Sequence, residues 1–275
     1  MEAFGPHFLA ATPIGLAARA LHAMEAVSLD VAMGVLGAAA FLGSLVPGAR
    51  APLPVLVCLA AAVTVVYNLD HLLDARETDP GASPRRRRYA ENRGVLAVCL
   101  VASASVGAVA VWFLPSMAWK LGAALGAYQI LYFAGLRAGL RGPAKRLMAT
   151  TGWALGLTIP AWCLSGPASH GEILLGTGLL LVVGWINLQS YALVDAGVEE
   201  DRGDLPGGGL RGLAMALAVA GLGWGFHSFP GHGGHWIALG AVAALQWTLT
   251  RLPSDFVHPA GEWSLALLGL FALAT

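Results

Sequence analysis

Apolar residues run through this chain in stretches of about 20, separated by short polar breaks, from Ala26 to the C-terminus. A helix rises about 1.5 Å per residue, so each stretch is long enough to cross the roughly 30 Å hydrocarbon core of a bilayer. Lipid offers the backbone no hydrogen-bond partner, and such segments must therefore be helices. The pattern predicts an all-α membrane protein, one domain built as a bundle of about nine transmembrane helices, at residues 26–46, 52–74, 94–114, 117–137, 147–165, 173–195, 210–228, 235–250 and 259–274. The last three are delimited by the Gly- and Pro-rich breaks Pro206-Gly207-Gly208-Gly209 and Phe229-Pro230-Gly231. Residues 1–25 form an N-terminal segment whose Pro6 to Ala23 stretch is amphipathic and suited to the membrane surface, without the charged start or small-residue cleavage site of a signal peptide.

Charge adds an orientation. The connections after the second, fourth, sixth and eighth segments hold Arg76, Arg85, Arg86, Arg87, Arg88, Arg93, Arg137, Arg141, Lys145, Arg146, Arg202, Arg211 and Arg251, whereas the opposite connections hold Arg50 and Lys120. Short cytoplasmic loops collect Lys and Arg, which places these connections and the N-terminus in the cytoplasm. The expectation is an integral protein of a membrane such as the bacterial inner membrane, with its charged face cytoplasmic.

Composition agrees: 57% of the 275 residues are hydrophobic, 12% are charged, and the mean hydropathy is +0.67. A water-soluble chain of this length cannot hide that much apolar surface. Formal net charge is zero, and Arg85–Arg88 is too short and too close to the membrane to serve a nucleic acid, so none is expected as a partner. Cys58, Cys99 and Cys163 lie in or beside apolar spans and read as small core residues, with neither disulfide nor metal spacing.

Ionisable groups at the mouth of a membrane bundle are costly and point to function. The second segment ends Tyr67-Asn68-Leu69-Asp70-His71-Leu72-Leu73-Asp74-Ala75-Arg76, with Asp70 and Asp74 at i, i+4 on one helix face. On the sixth, Asn187, Tyr191, Asp195 and Glu199 follow at steps of four and form one polar stripe if the helix continues past Gly197. Both sets fall at cytoplasmic ends and can face one cavity. Carboxylates suit Mg²⁺, Mg²⁺ suits phosphate oxygens, and arginine forks take the remaining phosphate charge. A diphosphate held there leaves a lipid tail free to run down between the helices, so the ligand implied is an isoprenoid diphosphate.

Simpler roles stand beside these. Glu77, Asp79, Glu91, Glu200 and Asp204 read as surface ion-pairing groups, and the arginine run reads as a topology signal or lipid-headgroup contact. Asn68 lies roughly 160° from the Asp70 face at about 100° per residue and is an open candidate. Glu25 and Asp30 suit a helix start. His227, His232 and His235 surround a Gly-rich outer loop that reads as solvated rather than metal-binding. The tryptophans read chiefly as interfacial anchors.

At this point the motifs resemble the UbiA superfamily of intramembrane prenyltransferases, which has nine transmembrane helices and Asp-rich motifs at the cytoplasmic ends of the second and sixth. Its first motif, NDxxDxxxD, is met here by VYNLDHLLD from Val66 to Asp74, so Asp70 and Asp74 match the last two acids. Its second, YAMxD with further acids, is close to Tyr191-Ala192-Leu193-Val194-Asp195 with Glu199. Tyr132-Phe133 and the basic stretch Arg137 to Arg146 resemble its tyrosine-lysine region. The likeness is loose over most of the chain and closer in the two short segments. Val66 and Tyr67 replace the leading Asn-Asp pair, which supplies metal ligands in the family, leaving Asn68 and His71 as partial substitutes.

The resemblance implies a divergent Mg²⁺-dependent enzyme in which Asp70, Asp74, Asp195 and Glu199 hold metal and diphosphate and are catalytic. Arg76, Lys145, Arg85, Arg88, Asn68, Asn187 and Tyr191 would bind substrate. Metal and arginines would stabilise the departing diphosphate, and the faces of Tyr191, Tyr132 or Trp185 the allylic cation. A lipophilic acceptor gives prenyl transfer, an alkene of the same chain gives terpene cyclisation, and an isoprenoid-lipid carrier is the non-enzymatic alternative. No DxxDGxxAR, HExxH or GxSxG signature is present.

Overall fold

Each apolar stretch of the sequence folds as a helix in a computed structural model that describes residues 23–25, 27–46, 51–75, 84–166, 169–196, 208–248 and 254–274. We number the helices α1 (Leu29–Ser44), α2 (Leu53–Asp74), α3 (Pro84–Glu91), α4 (Arg93–Val111), α5 (Ser116–Arg137), α6 (Gly142–Leu164), α7 (His170–Ala196), α8 (Gly208–Ser228), α9 (Gly233–Thr248) and α10 (Ser254–Ala274), with a single 3₁₀ turn at Pro230–His232. No strand occurs among the described residues. The amphipathic segment expected before Ala23 lies outside them.

Local chemistry sets several helix starts. Proline in the first turn of α2 and α6 costs nothing there, because its missing N–H would be unpaired in any case. Ser28, before α1, has φ 59° and ψ 25°, a left-handed conformation that non-glycine residues seldom adopt. It does not cap α1; its hydroxyl is used elsewhere, as described below.

α1 is the most enclosed helix. Val35, Phe41, Leu42 and Leu45 have no exposed surface, and they join Leu157 of α6, Ile173 and Leu180 of α7, Trp236 and Leu239 of α9 and Leu265 of α10 in one core. α10 lies along α1 with the backbones in close approach at glycines. A side chain at Gly37 would strike the Leu265 carbonyl and Ala266, and one at Gly269 would strike Gly37 itself. Gly34 faces Glu262 and Gly37 faces Leu265, so α1 and α10 run parallel. Small residues at such a seam let two helices reach backbone contact. Gly37→Leu should therefore destabilise the protein by about 1–3 kcal/mol through overpacking. A fall in the thermal unfolding midpoint in detergent checks this, and an unchanged midpoint would show that the seam can open without cost.

Length and hydropathy single out four helices able to cross a membrane among the described residues: Leu53–Leu73, Arg93–Val111, Gly142–Leu164 and His170–Tyr191. The expected nine crossing segments are not supported on that criterion. The physical reason is plain for α1 and α9, which have 16 residues each and so span about 24 Å, less than the hydrocarbon core. The outward faces are nonetheless apolar: Val98 is 68% exposed, Trp112 85%, Ile130 71% and Leu273 74%. Apolar faces of this kind mark contact with lipid or with another protein.

Candidate functional site

The end of α2 gathers polar groups from four segments. Asp70 Oδ1 lies 3.8 Å from Lys145 Nζ in the first turn of α6, and both side chains are partly exposed. Behind that pair, Ser28 Oγ donates to Asn68 Oδ1 at 3.0 Å and stands 3.2 Å from His71 Nδ1. The left-handed turn at Ser28 thus aims its hydroxyl at α2. The His71 ring stacks on Tyr89 of α3, centroids 3.9 Å apart at 15°. Arg88 donates to Glu25 at 3.4 Å, and Arg93 donates to the Ala75 carbonyl at 2.7 Å, satisfying an otherwise open helix C-terminus.

The arginine run is therefore not a loop. Arg85–Arg88 lie in the short helix α3, pinned against the end of α2 through Tyr89, which is buried. Asn68, also buried, faces Ser28 rather than the Asp70–Lys145 pair.

α7 continues to Ala196, so Asn187, Tyr191 and Asp195 occupy one face of an unbroken helix. That face meets α10. Asn187 Nδ2 donates to Glu262 Oε1 at 3.3 Å and the Tyr191 hydroxyl donates to the same oxygen at 3.2 Å. Next to them, Gln246 Nε2 of α9 donates to the Gly261 carbonyl and to Ser264 Oγ, both at 3.0 Å. Buried polar atoms in an apolar bundle call for internal partners, and these three helices supply some of them, while Asn187 Oδ1 and Gln246 Oε1 have no hydrogen-bond partner among the described residues.

A narrow cleft opens between α2, α6, α7 and α10, lined by Tyr67, Ala149, Thr150, Trp153, Gly184, Asn187, Leu188 and Glu262, with about 20 Å³ of free space, room for little more than a water molecule. Tyr67 is one turn before Asp70, Ala149 one turn after Lys145, and Leu188 two turns before Asp195. The cleft thus has the Asp70–Lys145 pair at one end of its walls.

Of the residues singled out by sequence, the structure joins Asp70 to Lys145, and Asn187 to Tyr191. It places Arg88 on Glu25 and Asn68 on Ser28. The side chains of Asp74, Arg85 and Asp195, and the whole of Arg76 and Glu199, lie outside the described residues. On the opposite side, Glu172 Oε2 is 3.5 Å from His232 Nε2, and the His232 and His235 rings are 5.3 Å apart. No group of three His, Cys, Asp or Glu suited to a metal occurs among the described residues. Sequence reasoning missed Glu262, a lone acid in the last apolar segment; its signal was simply a charge where lipid should be. Comparison with protein-family models, with curated proteins and with solved structures gives no match for this chain.

Proposed function

We propose that the chain is a membrane-embedded bundle of nine crossing helices that binds an isoprenoid diphosphate with Mg²⁺ at the end of α2 and α7, ionises it, and transfers the prenyl group to a lipophilic acceptor. The reading follows the UbiA-like motifs, and the observation that carries it is the cleft. Its aromatic and apolar walls, Tyr67, Trp153 and Leu188, begin directly below Asp70 and Lys145. A charged mouth over aromatic walls suits a charged headgroup with a hydrocarbon tail, and the slot, narrow as it stands, would have to widen to admit the tail. The parallel run of α1 and α10 is also what nine alternating crossings require, since the first and ninth then point the same way.

Asp70 is a hard oxygen donor, and Asp74, Asp195 and Glu199 would complete such a set. That Asp70 already sits beside an ammonium fits a carboxylate placed to meet positive charge. When bound, Mg²⁺ would neutralise charge on the departing diphosphate. Lys145, at the mouth, would take a phosphate oxygen. The apolar walls would keep water from the allylic cation, and the Trp153 and Tyr67 rings would face it.

The test is pyrophosphate release from farnesyl and geranylgeranyl diphosphate by the purified protein, with Mg²⁺ and with EDTA. Release only with Mg²⁺ supports the reading. Tight binding without release would make the protein a carrier, and the absence of both would end the proposal.

A further inference from the structure

The prenyl-transfer chemistry does not account for the folded form of α3. Between Arg76 and Arg93 six arginines stand against three acids, Glu77, Asp79 and Glu91, and four of the six, Arg85 to Arg88, belong to this one short helix. A basic run that serves only as a sidedness signal needs no fixed structure. Here the run is folded and fastened. Tyr89 is 3% exposed and stacks on His71 in the last turn of α2. Arg88 reaches Glu25, and Arg93, at the start of α4, donates to the Ala75 carbonyl just past the end of α2.

The place of fastening is the surface of a bilayer. α2 and α4 are both long and apolar enough to cross a membrane, and α3 joins the end of one to the start of the other. Apolar surface begins within one turn of Arg93, since Val95, Val98 and Val101 of α4 are each more than half exposed. On a bilayer that α2 and α4 cross, α3 therefore lies at the level of the headgroups.

Arg88 and Arg93 are engaged with the protein, but Arg87 is exposed. It stands two residues before Tyr89, which turns it about 160° from that ring at roughly 100° per residue. It thus looks away from α2 and from Asp70. An arginine so directed is badly placed to share one bound headgroup with Asp70, and well placed to meet a phosphodiester of the surrounding bilayer. A guanidinium carries five donors, so it can take a phosphate oxygen and still keep a partner within the chain.

We propose that α3 is a docking surface for anionic phospholipid headgroups, with Arg87 foremost among its arginines and Tyr89 holding the helix at that depth. Net positive charge favours an anionic headgroup over a zwitterionic one, and salt weakens the attraction.

The experiment is titration of fluorescent phosphatidylglycerol into the full-length protein in a non-ionic detergent. Wild type should bind it saturably, and unlabelled phosphatidylcholine should not compete. Arg86→Gln/Arg87→Gln should weaken binding about tenfold. Arg86→Lys/Arg87→Lys, which keeps the charge, should bind as wild type does, so that a loss in the glutamine variant is one of charge and not of folding. Arg137→Gln/Arg141→Gln, at two exposed arginines between α5 and α6, should also bind as wild type does. Equal competition by phosphatidylcholine, unchanged binding in the first variant, or an equal loss in either of the other two would overturn the proposal. Inorganic pyrophosphate with Mg²⁺ should displace the lipid poorly. Displacement as effective as that by unlabelled phosphatidylglycerol would overturn it too, and would assign these arginines to a diphosphate site.

Discussion

Asp195→Ala is expected to abolish Mg²⁺-dependent binding of a prenyl diphosphate, and Asp70→Ala to weaken it at least tenfold, about 1.4 kcal/mol or more. The asymmetry comes from the altered first motif. On the proposed reading, with Val66 and Tyr67 where the resembling family carries its leading ligand pair, α2 would offer fewer acids to a metal and α7 would carry more of the binding. The geometry of α2 adds to this. Asn68 is turned to Ser28 and His71 is stacked on Tyr89, so neither side chain is disposed toward Lys145 with Asp70. Asp195 stands one turn beyond Tyr191 on α7. Asp79→Ala, at an acid that the sequence reads as a simple ion-pairing group, should change little. Calorimetric titrations of the three variants decide the matter, and an unaffected Asp195→Ala protein would mean that these acids are structural.

Much of the architecture is legible in the apolar runs, because Gly, Pro and charged breaks fall where the helices stop. α2 was expected at 52–74 and is Leu53–Asp74; α5 was expected at 117–137 and is Ser116–Arg137. What a run of apolar residues does not reveal is how much of it is membrane thickness. α1 begins after the left-handed turn at Ser28, whose hydroxyl meets Asn68 and His71, 40 and 43 residues away in sequence. The four arginines gave the sidedness signal but concealed a helix, since it is Tyr89 next to them that docks it.

The site divides in the same way. Acids at i, i+4 stand out because a helix places them on one face, and this drew attention to Asp70 and to the Asn187–Tyr191–Asp195 stripe. Glu262 has no such neighbour on its own helix. Its partners lie 75 and 71 residues earlier, and only the packing of α7 on α10 makes a site of them. Gly34 and Gly261 likewise read as ordinary small residues until the space they leave is seen to hold a carboxyl and the groups bonded to it.

The sidedness of the bundle gives an all-or-none expectation. In a protein whose Cys58, Cys99 and Cys163 are replaced, Gly231→Cys should be labelled by a membrane-impermeant maleimide added outside intact cells, and Arg86→Cys should not. Both positions suit the test: Gly231 is exposed with open space around its Cα, and Arg86 belongs to α3, between α2 and α4. The basic residues lie almost entirely in one set of connections, and moving them across a membrane is what the positive-inside bias opposes. The parallel seam of α1 and α10 tightens the expectation. If α1 and α10 are both crossings they point the same way, so the number of crossings from the first to the last must be odd. Nine satisfies this, whereas the four helices that pass on length and hydropathy alone do not include α1 or α10. Labelling at 86 with protection at 231 would invert the topology and put Asp70 and Lys145 on the outer face. Labelling at both positions would place α3 and the Pro230–His232 turn on one side, which requires that an odd number of the five helices α4 to α8 fail to cross, and the shortfall in length and hydropathy would then be the true account of the fold.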